Sequence, residues 1–249
     1  MRAHLVRLAM AALTLSGTHA ANAQLTLAGV DQAPNVHIVK RVLDEAYARS
    51  GRSFALELYP PARSVRRANA GTVDGELFRL AGLEADFPNL VRVPVPVDRI
   101  EAVAFTDGKP FKVRGWESLK PYRVGIRRGI RFAEQGVASV DGLSVQAVAS
   151  VDQLFGLLEH GRVDVIVLSR LSGLSALAER PRSVVTPLEP PLQTYPVYHY
   201  LHRRNEALVP TLTEALTTMQ RDGQIRQIRR DYIRAHFGSA PVPTMRSPG

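Results

Sequence analysis

Apolar positions recur with two different periods along the chain after residue 24. Three stretches show the two-residue period of half-buried strands, at Leu25–Val30, Phe54–Tyr59 and residues 73–78. Between them, residues 35–50 have helical spacing and residues 63–70 form a second, shorter predicted helix. This strand–helix–strand–helix–strand order predicts a parallel sheet with helices on its faces.

The same order returns in the second half of the chain. Strands are predicted at residues 122–126, 144–149 and 163–168, with one helix opening at Arg128 and another over residues 151–160. The third strand is apolar at almost every position, which is typical of a strand buried on both faces. Two α/β units therefore stand in tandem, and the fold class predicted is α/β.

Extended segments at residues 91–97 and 99–106 connect the two units. A further extended segment at residues 197–202 precedes a long helical region, residues 208–237. Residues 239–249 are rich in proline, and we expect them to be a disordered tail.

The N-terminus has the features of a secretory signal. Arg2 and Arg7 accompany the apolar run LAMAALTL at residues 8–15, and the small-residue site Ala21-Asn22-Ala23 follows. This pattern predicts a cleavable signal peptide over residues 1–23 and a soluble, periplasmic mature protein. A membrane anchor would need about 20 apolar residues, and this run is interrupted too early. The chain contains no cysteine, so a lipid-attachment site is not expected.

The formal net charge is +9, from 32 Lys and Arg against 23 Asp and Glu. The basic residues are scattered, and the densest cluster, residues 226–230, is expected on the solvated face of a terminal helix. With only 6% aromatic residues as well, the composition gives little support to a nucleic-acid partner. His199 and His202 would face opposite sides of an extended segment, so neither a metal site nor a cofactor is predicted.

Four segments carry a family resemblance, and they occur in the family's order. They are residues 70–74 (AGTVD), 118–129 (SLKPYRVGIRRG), 153–164 (QLFGLLEHGRVD) and 208–232. Together they resemble the solute-binding proteins of amino-acid-type ABC transporters, and the resemblance extends over most of the chain from residue 24 onward.

The resemblance implies the type II periplasmic binding protein fold, in which two Rossmann-like lobes are joined by a hinge of two crossovers. We place these crossovers near residues 102–106 and 197–202. Lobe I would then hold residues 24–105 and 197–238, and lobe II would hold residues 106–196. The resemblance also implies a monomer that binds a small molecule and presents it to an ABC permease of the inner membrane.

The carboxyl ends of strands nominate ligand-binding residues in lobe I, because ligands of open α/β sheets lie there. Phe78 and Arg79 stand at the end of the third predicted strand, and an arginine can hold a carboxylate or phosphate through two parallel hydrogen bonds. Glu76 lies on the same strand, and Arg63 begins the preceding helix. Proteins of the family carry their carboxylate-binding arginine where this chain has Ala85, so Arg79 is expected to substitute for it.

In lobe II, the loop before a predicted helix is the strongest candidate for binding an anion. The first N–H groups of a helix and its dipole favour negative charge, and the resemblance implies that this loop binds the ligand's carboxylate. Ser169 and Arg170 follow another strand, and amino-acid binders carry an ammonium-pairing aspartate at the position of Ser169. The residues of the loop before the helix are Arg128, Gly129, Ile130 and Arg131. Because this loop favours negative charge and Ser169 supplies no acid, an anionic ligand is predicted.

Two other functions stay open at this point. An exported enzyme on the same scaffold would need a positioned acid or base. Glu76 is the best candidate, but no partner residue completes a catalytic arrangement in the sequence. A ligand-sensing module that is read by a separate signalling protein would share the fold, and the fold alone does not separate sensing from transport.

Overall fold

The computed structural model describes residues 24–238 apart from residues 32 and 109. The predicted signal peptide and the predicted tail, residues 1–23 and 239–249, therefore lie outside the described residues. The first elements are β1 (Leu25–Val30), α1 (Asn35–Arg49), β2 (Phe54–Tyr59), α2 (Pro61–Asn69), β3 (Gly75–Leu80), α3 (Leu83–Asp86) and β4 (Leu90–Thr106). The later ones are β5 (Arg123–Arg127), α4 (Arg131–Ala138), β6 (Ser144–Val148), α5 (Val151–Glu159), β7 (Val165–Ser169), α6 (Arg170–Ala178), β8 (Thr186–Pro187), β9 (Gln193–His202), α7 (Val209–Arg221) and α8 (Gln224–Phe237). Two 3₁₀ helices lie at Trp116–Leu119 and Arg203–Leu208.

The strands form one mixed sheet in the order β2-β1-β3-β9-β4-β7-β5-β6, with β8 paired to β4. β1 pairs in parallel with β2 and β3, and β5 pairs in parallel with β6 and β7. The long strands β4 and β9 run antiparallel to each other and connect the two parallel sets. The predicted α/β class with two Rossmann-like units is confirmed, and we refer to the units as the first and second lobes.

Helices cover both faces of each half of the sheet. In the first lobe, α1 and α7 bury Leu43, Val93 and Leu216 on one face, while α2 buries Val65 on the other. In the second lobe, α4 covers one face and α5 with α6 covers the opposite one. The alternation of apolar positions along β4 thus contributes side chains to the cores of both lobes.

β4 is one strand of 17 residues, although the sequence predicted two extended segments. Pro94 and Pro96 lie inside it, and its register against β9 shifts on either side of Pro96. Proline has no N–H to donate, so it is tolerated where the ladder is already irregular.

Several boundaries differ from the predicted ones for local reasons. β3 begins at Gly75, and Asp74 just before it accepts a hydrogen bond from the N–H of Thr26. The strand extends to Leu80, so Arg79 lies inside β3 and not beyond its end. α4 begins at Arg131, three residues later than predicted, because Gly129 has φ +80°. The predicted helix over residues 208–237 is broken at Gly223, which has φ +76°.

Within residues 24–238, the helices are all too short or too polar to cross a membrane.

Candidate functional site

The strands of the two lobes point at each other along the β4–β9 pair. In the first lobe, Leu80 at the end of β3 pairs with Val197 of β9. In the second lobe, Ser169 at the end of β7 pairs with Ala102 of β4, which in turn pairs with Gln193 of β9. The two strand ends are thus separated by four residues of β9, about 13 Å, and they approach from opposite sides of the β4–β9 pair.

We call residues 98–102 of β4 and 193–197 of β9 the connecting ribbon. The predicted crossovers at residues 102–106 and 197–202 lie beside this ribbon, because each is already paired with strands of one lobe. Since ligands of open α/β sheets bind beyond the carboxyl ends of strands, the ribbon forms the floor of the candidate site.

One face of the ribbon is apolar and aromatic. Ile100 and Tyr195 are cross-strand partners, and the Tyr195 ring lies 6.0 Å from the ring of Phe132 in α4. The Tyr195 hydroxyl donates to Gln193, and so does the indole N–H of Trp116, at 2.8 and 2.9 Å. Tyr195 is half-buried, so part of its ring is available to a ligand. No signal in the sequence had nominated it.

The β4 strand of the ribbon also carries a buried ionic network. Arg229 of α8 donates to Asp98 at 2.7 Å and to Glu101 at 2.8 Å. Arg170 of α6 donates to the same Glu101 carboxylate at 2.9 Å. Around this centre, Arg99 bonds Glu101, Glu189 accepts from Arg170, and Asn35 of α1 donates to Asp98.

Three carboxylates and three guanidinium groups make up this hinge network, and Asn35 is its neutral member. Burial by itself raises the pKa of Glu101, but Arg229, Arg99 and Arg170 outweigh that effect and hold the pKa at about 2. The carboxylate is therefore charged and fully engaged at neutral pH.

The network corrects the expectation that residues 226–230 form only a solvated face. Arg229 is 3% exposed, whereas Arg226 is exposed. The burial of Arg229 could have been inferred from the sequence. The spacing is that of one buried helix face, formed by Ile225, Arg229, Tyr232 and Ile233.

Arg170 and Ser169 both have structural partners. Arg170 is 4% exposed, and its guanidinium is shared between Glu101 and Glu189. The Ser169 hydroxyl accepts from the N–H of Ser172 and thereby caps α6, a helix that the sequence pattern did not predict. Arg170 is accordingly better explained as part of the hinge network than as a ligand-binding residue.

Glu76, Arg79 and Ser64 form a second polar group, beneath the start of α2. Glu76 is fully buried, and its carboxylate accepts from Ser64 Oγ and lies 2.7 Å from Nη2 of Arg79. The same Nη2 donates to the Pro61 carbonyl at 3.0 Å. Burial raises the pKa of Glu76 to about 7, even though Arg79 and Ser64 act in the opposite direction.

This arrangement changes the expected part of Arg79. Its guanidinium is already paired, so a bidentate grip on a ligand would require release from Glu76. Nε of Arg79 is buried and has no hydrogen-bond partner among the described residues. Phe78, nominated beside it, packs in the core under α1 and is 7% exposed.

Arg63 is exposed on α2, with its guanidinium carbon 5.5 Å from the centre of the Tyr59 ring at the end of β2. Arg67, one turn later, lies 4.9 Å from the same ring. Both cations therefore stand near the carboxyl end of a first-lobe strand.

The second-lobe loop has its side chains in three different environments. Arg128 is exposed, and its guanidinium donates to the Ala147 carbonyl at 3.3 Å. The N–H of Gly129 donates to Glu134, while Ile130 packs partly against the core. Arg131 is exposed and begins α4, whose first N–H groups have no partner inside the helix.

Among the nominated residues, the structure brings Glu76 and Arg79 into direct contact and keeps Arg63 on the neighbouring helix. It directs Phe78 and Arg170 into the interior. No group of three or more His, Asp or Glu side chains suited to a metal ion occurs within residues 24–238.

Two sequence comparisons bear on the family of this chain. No protein-family model matches the chain. An uncharacterized protein of Shewanella oneidensis is 28% identical over 194 residues, which cover 76% of this chain and 73% of the relative.

Solved structures resemble the chain over most of its length. The GluR0 ligand-binding core in complex with L-glutamate has a TM-score of 0.67 at 13% identity, covering 84% of this chain and 97% of the other. An ancestral arginine-binding protein bound to arginine has a TM-score of 0.61 at 17% identity, with the same coverage of the two chains. A histidine kinase sensor domain with similarity to periplasmic binding proteins has a TM-score of 0.59 at 16% identity, covering 85% and 96%. The chain therefore has the type II periplasmic binding protein fold.

Proposed function

We propose that this chain is an exported binding protein that holds a small anionic ligand between its two lobes. The observation that carries the proposal is the convergence of strand ends from both lobes on the connecting ribbon, four residues apart. Two strands joining two α/β lobes form a natural hinge, and closure about a hinge buries a ligand that both lobes contact.

The distribution of charge supports an anion. The nominated cations Arg63 and Arg131 are exposed near the starts of α2 and α4, whereas the guanidinium of Arg128 is directed to the Ala147 carbonyl at the outer edge of β6. Of the nearby acids, Glu76 and Glu101 are buried and already paired with arginine, and Glu134 accepts from the N–H of Gly129. Ser169 offers no charge that could neutralise the ammonium group of an amino acid. The N–H groups at the start of α4 would add hydrogen bonds to a carboxylate or phosphate.

The ribbon adds an apolar contact to this polar site. Ile100 and the half-buried Tyr195 lie side by side on one face of the ribbon. We therefore propose an organic anion with a compact apolar part, such as a carboxylic acid, as the ligand. Closure over such a ligand requires no reacting group, so the proposal is a binding function and not an enzymatic one.

For location and boundaries, we propose cleavage before Gln24, a periplasmic mature protein, and a division between the lobes at the connecting ribbon. The partner would be an ABC permease. A separate signalling protein is the second candidate, because a kinase sensor domain is among the structures that share the fold. Deletion of the gene would abolish uptake of the labelled ligand in the first case, and would change ligand-dependent transcription with uptake intact in the second.

The ligand can be identified by native mass spectrometry of protein purified from the periplasm, followed by thermal unfolding with the compound found. At a ligand concentration of one hundred times Kd, the free energy of unfolding should rise by about 2.7 kcal/mol. Replacing Arg131→Ala should weaken binding roughly tenfold or more, because a closed site leaves the anion without its partner.

The melting temperature of the ligand-free Arg131→Ala protein should stay unchanged, because Arg131 is exposed. The matched control is Arg226→Ala, an exposed arginine of α8, which should alter neither binding nor stability. Tight binding of free arginine or lysine that Arg131→Ala does not affect would refute the anionic site.

A further inference from the structure

Strand β6 forms an edge of the sheet and is open to solvent along its length. It is the last strand in the sheet order, and residues 144–147 are all exposed. Val145 is 40% exposed, which is unusual for an apolar strand residue. The helix α4 is only eight residues long and packs on β5, so it leaves β6 uncovered.

The outer side of β6 presents backbone groups that could pair with another strand. The N–H of Arg128 donates to the Val148 carbonyl, so the peptide groups of Val148 face the β5 side. In a parallel strand, alternate residues direct both backbone groups to the same side, so Val145 and Ala147 face outward. The guanidinium of Arg128 donates to the Ala147 carbonyl, which agrees with that direction.

This edge lacks the features that usually prevent strand addition. Natural edge strands are protected by charged residues, prolines or bulges. β6 reads Ser-Val-Gln-Ala-Val and has neither a charge nor a proline. At the opposite edge of the sheet, β2 carries the exposed Glu57. The β2 edge of the sheet therefore carries a charge that opposes strand addition, and the β6 edge does not.

A groove of about 600 Å³ runs between β6 and α5. Arg128 and Arg162 are both exposed, and Gln146, Val148, Gly156 and His160 line it with them. Among the described residues that line the groove, none carries a carboxylate. Arg128 follows β5 and Arg162 follows α5, so the cations flank β6 at opposite ends of the lobe sheet.

We infer that β6 accepts an extended acidic segment of a partner protein as an added strand. The backbone of the partner would pair with Val145 and Ala147, its alternate side chains would enter the groove, and its carboxylates would meet Arg128 and Arg162. Residues 1–23 and 239–249 contain no Asp or Glu, so neither stretch would be such a segment. A second copy is disfavoured because it would bring the same two arginines to the same edge.

The test uses the full mature chain and a fluorescent ten-residue peptide in which glutamate alternates with valine and threonine. A second peptide with lysine in place of every glutamate is the charge control. We expect saturable binding of the acidic peptide by fluorescence anisotropy, and no binding of the basic one. Arg162→Glu should weaken the acidic peptide roughly five- to tenfold, while Arg182→Glu, at an exposed position in another loop, should not.

Backbone pairing is tested separately with Ala147→Pro, which removes an outward N–H at an edge where proline is tolerated. Ala147→Val keeps the N–H and should bind as the unchanged chain does. Circular dichroism tests whether the Ala147→Pro variant is folded. If it is unfolded, the Arg162→Glu variant still tests the inference. Equal binding of both peptides, equal effects of the two arginine variants, or unchanged binding by folded Ala147→Pro would each overturn the inference. Concentration-dependent self-association that Ala147→Pro abolishes would overturn it too, by assigning the edge to a second copy.

Discussion

Two buried titratable residues of the first lobe stand next to each other with opposite pH responses. Nδ1 of His199 lies 2.9 Å from the Glu76 carbonyl, and its Nε2 lies 2.9 Å from the Tyr47 hydroxyl. Burial lowers the pKa of His199 to about 4, and the hydrogen bonds of its ring to the Glu76 and Leu77 carbonyls act in the opposite direction. Burial raises the pKa of Glu76 to about 7.

The two groups should have opposite effects on the free energy of unfolding. Glu76 has a raised folded-state pKa, so its contribution is present below about pH 4.5 and is lost as pH rises to about 7. His199 has a lowered folded-state pKa, so its contribution is present above about pH 6.5 and is lost as pH falls to about 4. Each effect is at most about 3 kcal/mol, and the two largely cancel between pH 4.5 and 6.5.

The Glu76→Gln substitution should reveal the pH dependence of stability that comes from His199, because it removes the opposing contribution of Glu76. The variant keeps a hydrogen-bond partner for Ser64 but does not titrate, so its stability should rise between pH 4.5 and 6.5 by about 2 kcal/mol more than that of the unchanged chain. Urea unfolding at both pH values measures the difference. Glu159→Gln, at an exposed position on α5, is the control. Parallel pH profiles for the Glu76 variant and the unchanged chain would show that Glu76 does not titrate in this range.

Single residues are also where the sequence was least informative about the site. Residues three apart on a strand normally face opposite sides, so the sequence pattern alone gives no reason for Glu76 and Arg79 to pair. The register of β3 against β9 shifts between them, and this irregularity brings both side chains under α2. Such a shift depends on the partner strand, about 120 residues away in the chain, and leaves no local pattern.

At the scale of elements, two helices of the second lobe each have a glycine where they pack against an aromatic ring. A Cβ on Gly173 of α6 would lie 2.0 Å from the Phe105 ring of β4. A Cβ on Gly136 of α4 would lie equally close to the Trp116 ring. In both cases an aromatic ring occupies the space that a side chain would need, so the helix can pack closely.

Gly173→Ala should therefore destabilise the protein by about 1–3 kcal/mol, because overpacking outweighs the better helix propensity of alanine. Gly156→Ala is the matched control, since Gly156 also lies inside a helix but a Cβ added to it would meet no atom within 4 Å. It should be neutral or stabilise by up to about 1 kcal/mol. Thermal unfolding of both variants decides the matter, and a stabilised Gly173 variant would contradict the close-packing explanation.

Elements were predictable where periodicity was strong. β1 and β2 match their predicted bounds, and α1 and α5 match to within one residue. α6 was missed, because its sequence RLSGLSALA contains two serines and a glycine, which favour turns and caps over helix interiors. Its N-cap, Ser169, and its packing on Phe105 explain why it is nevertheless helical.

At the scale of the whole molecule, the hinge network joins parts of the chain that lie far apart in sequence. Through Asp98, Glu101, Arg170 and Arg229 it ties β4 to α6 and α8, and Asn35 adds α1. An apolar cluster of Ile38, Leu171, Tyr232 and Ile233 extends the same junction. α8, which the sequence assigned to lobe I alone, therefore contacts both lobes.

Arg229→Met should destabilise the protein by about 3–5 kcal/mol, because two buried carboxylates lose a partner while the volume is nearly kept. Arg226→Met, on the exposed side of the same helix, should change the free energy of unfolding by less than about 0.5 kcal/mol. Adding Asp98→Asn to Arg229→Met should recover part of the loss, since one unpaired charge is removed. Chemical denaturation of the three variants tests this, and similar losses from Arg229→Met and Arg226→Met would mean that the network contributes little.

The charge balance of the hinge network also constrains how the gene can change over time. Loss of one of its buried members, Asp98, Glu101, Arg170 or Arg229, leaves a buried charge with fewer partners, so a lineage that loses one of them passes through a less stable intermediate. Drift at these positions is easiest when an acid and a base are replaced together by neutral residues, or when a partner has already changed. Descendants of this chain should thus hold either the whole ionic set or an uncharged substitute for a matched pair. Substitutions in the hinge network should therefore occur in correlated pairs, while the exposed arginines around it should change independently of one another.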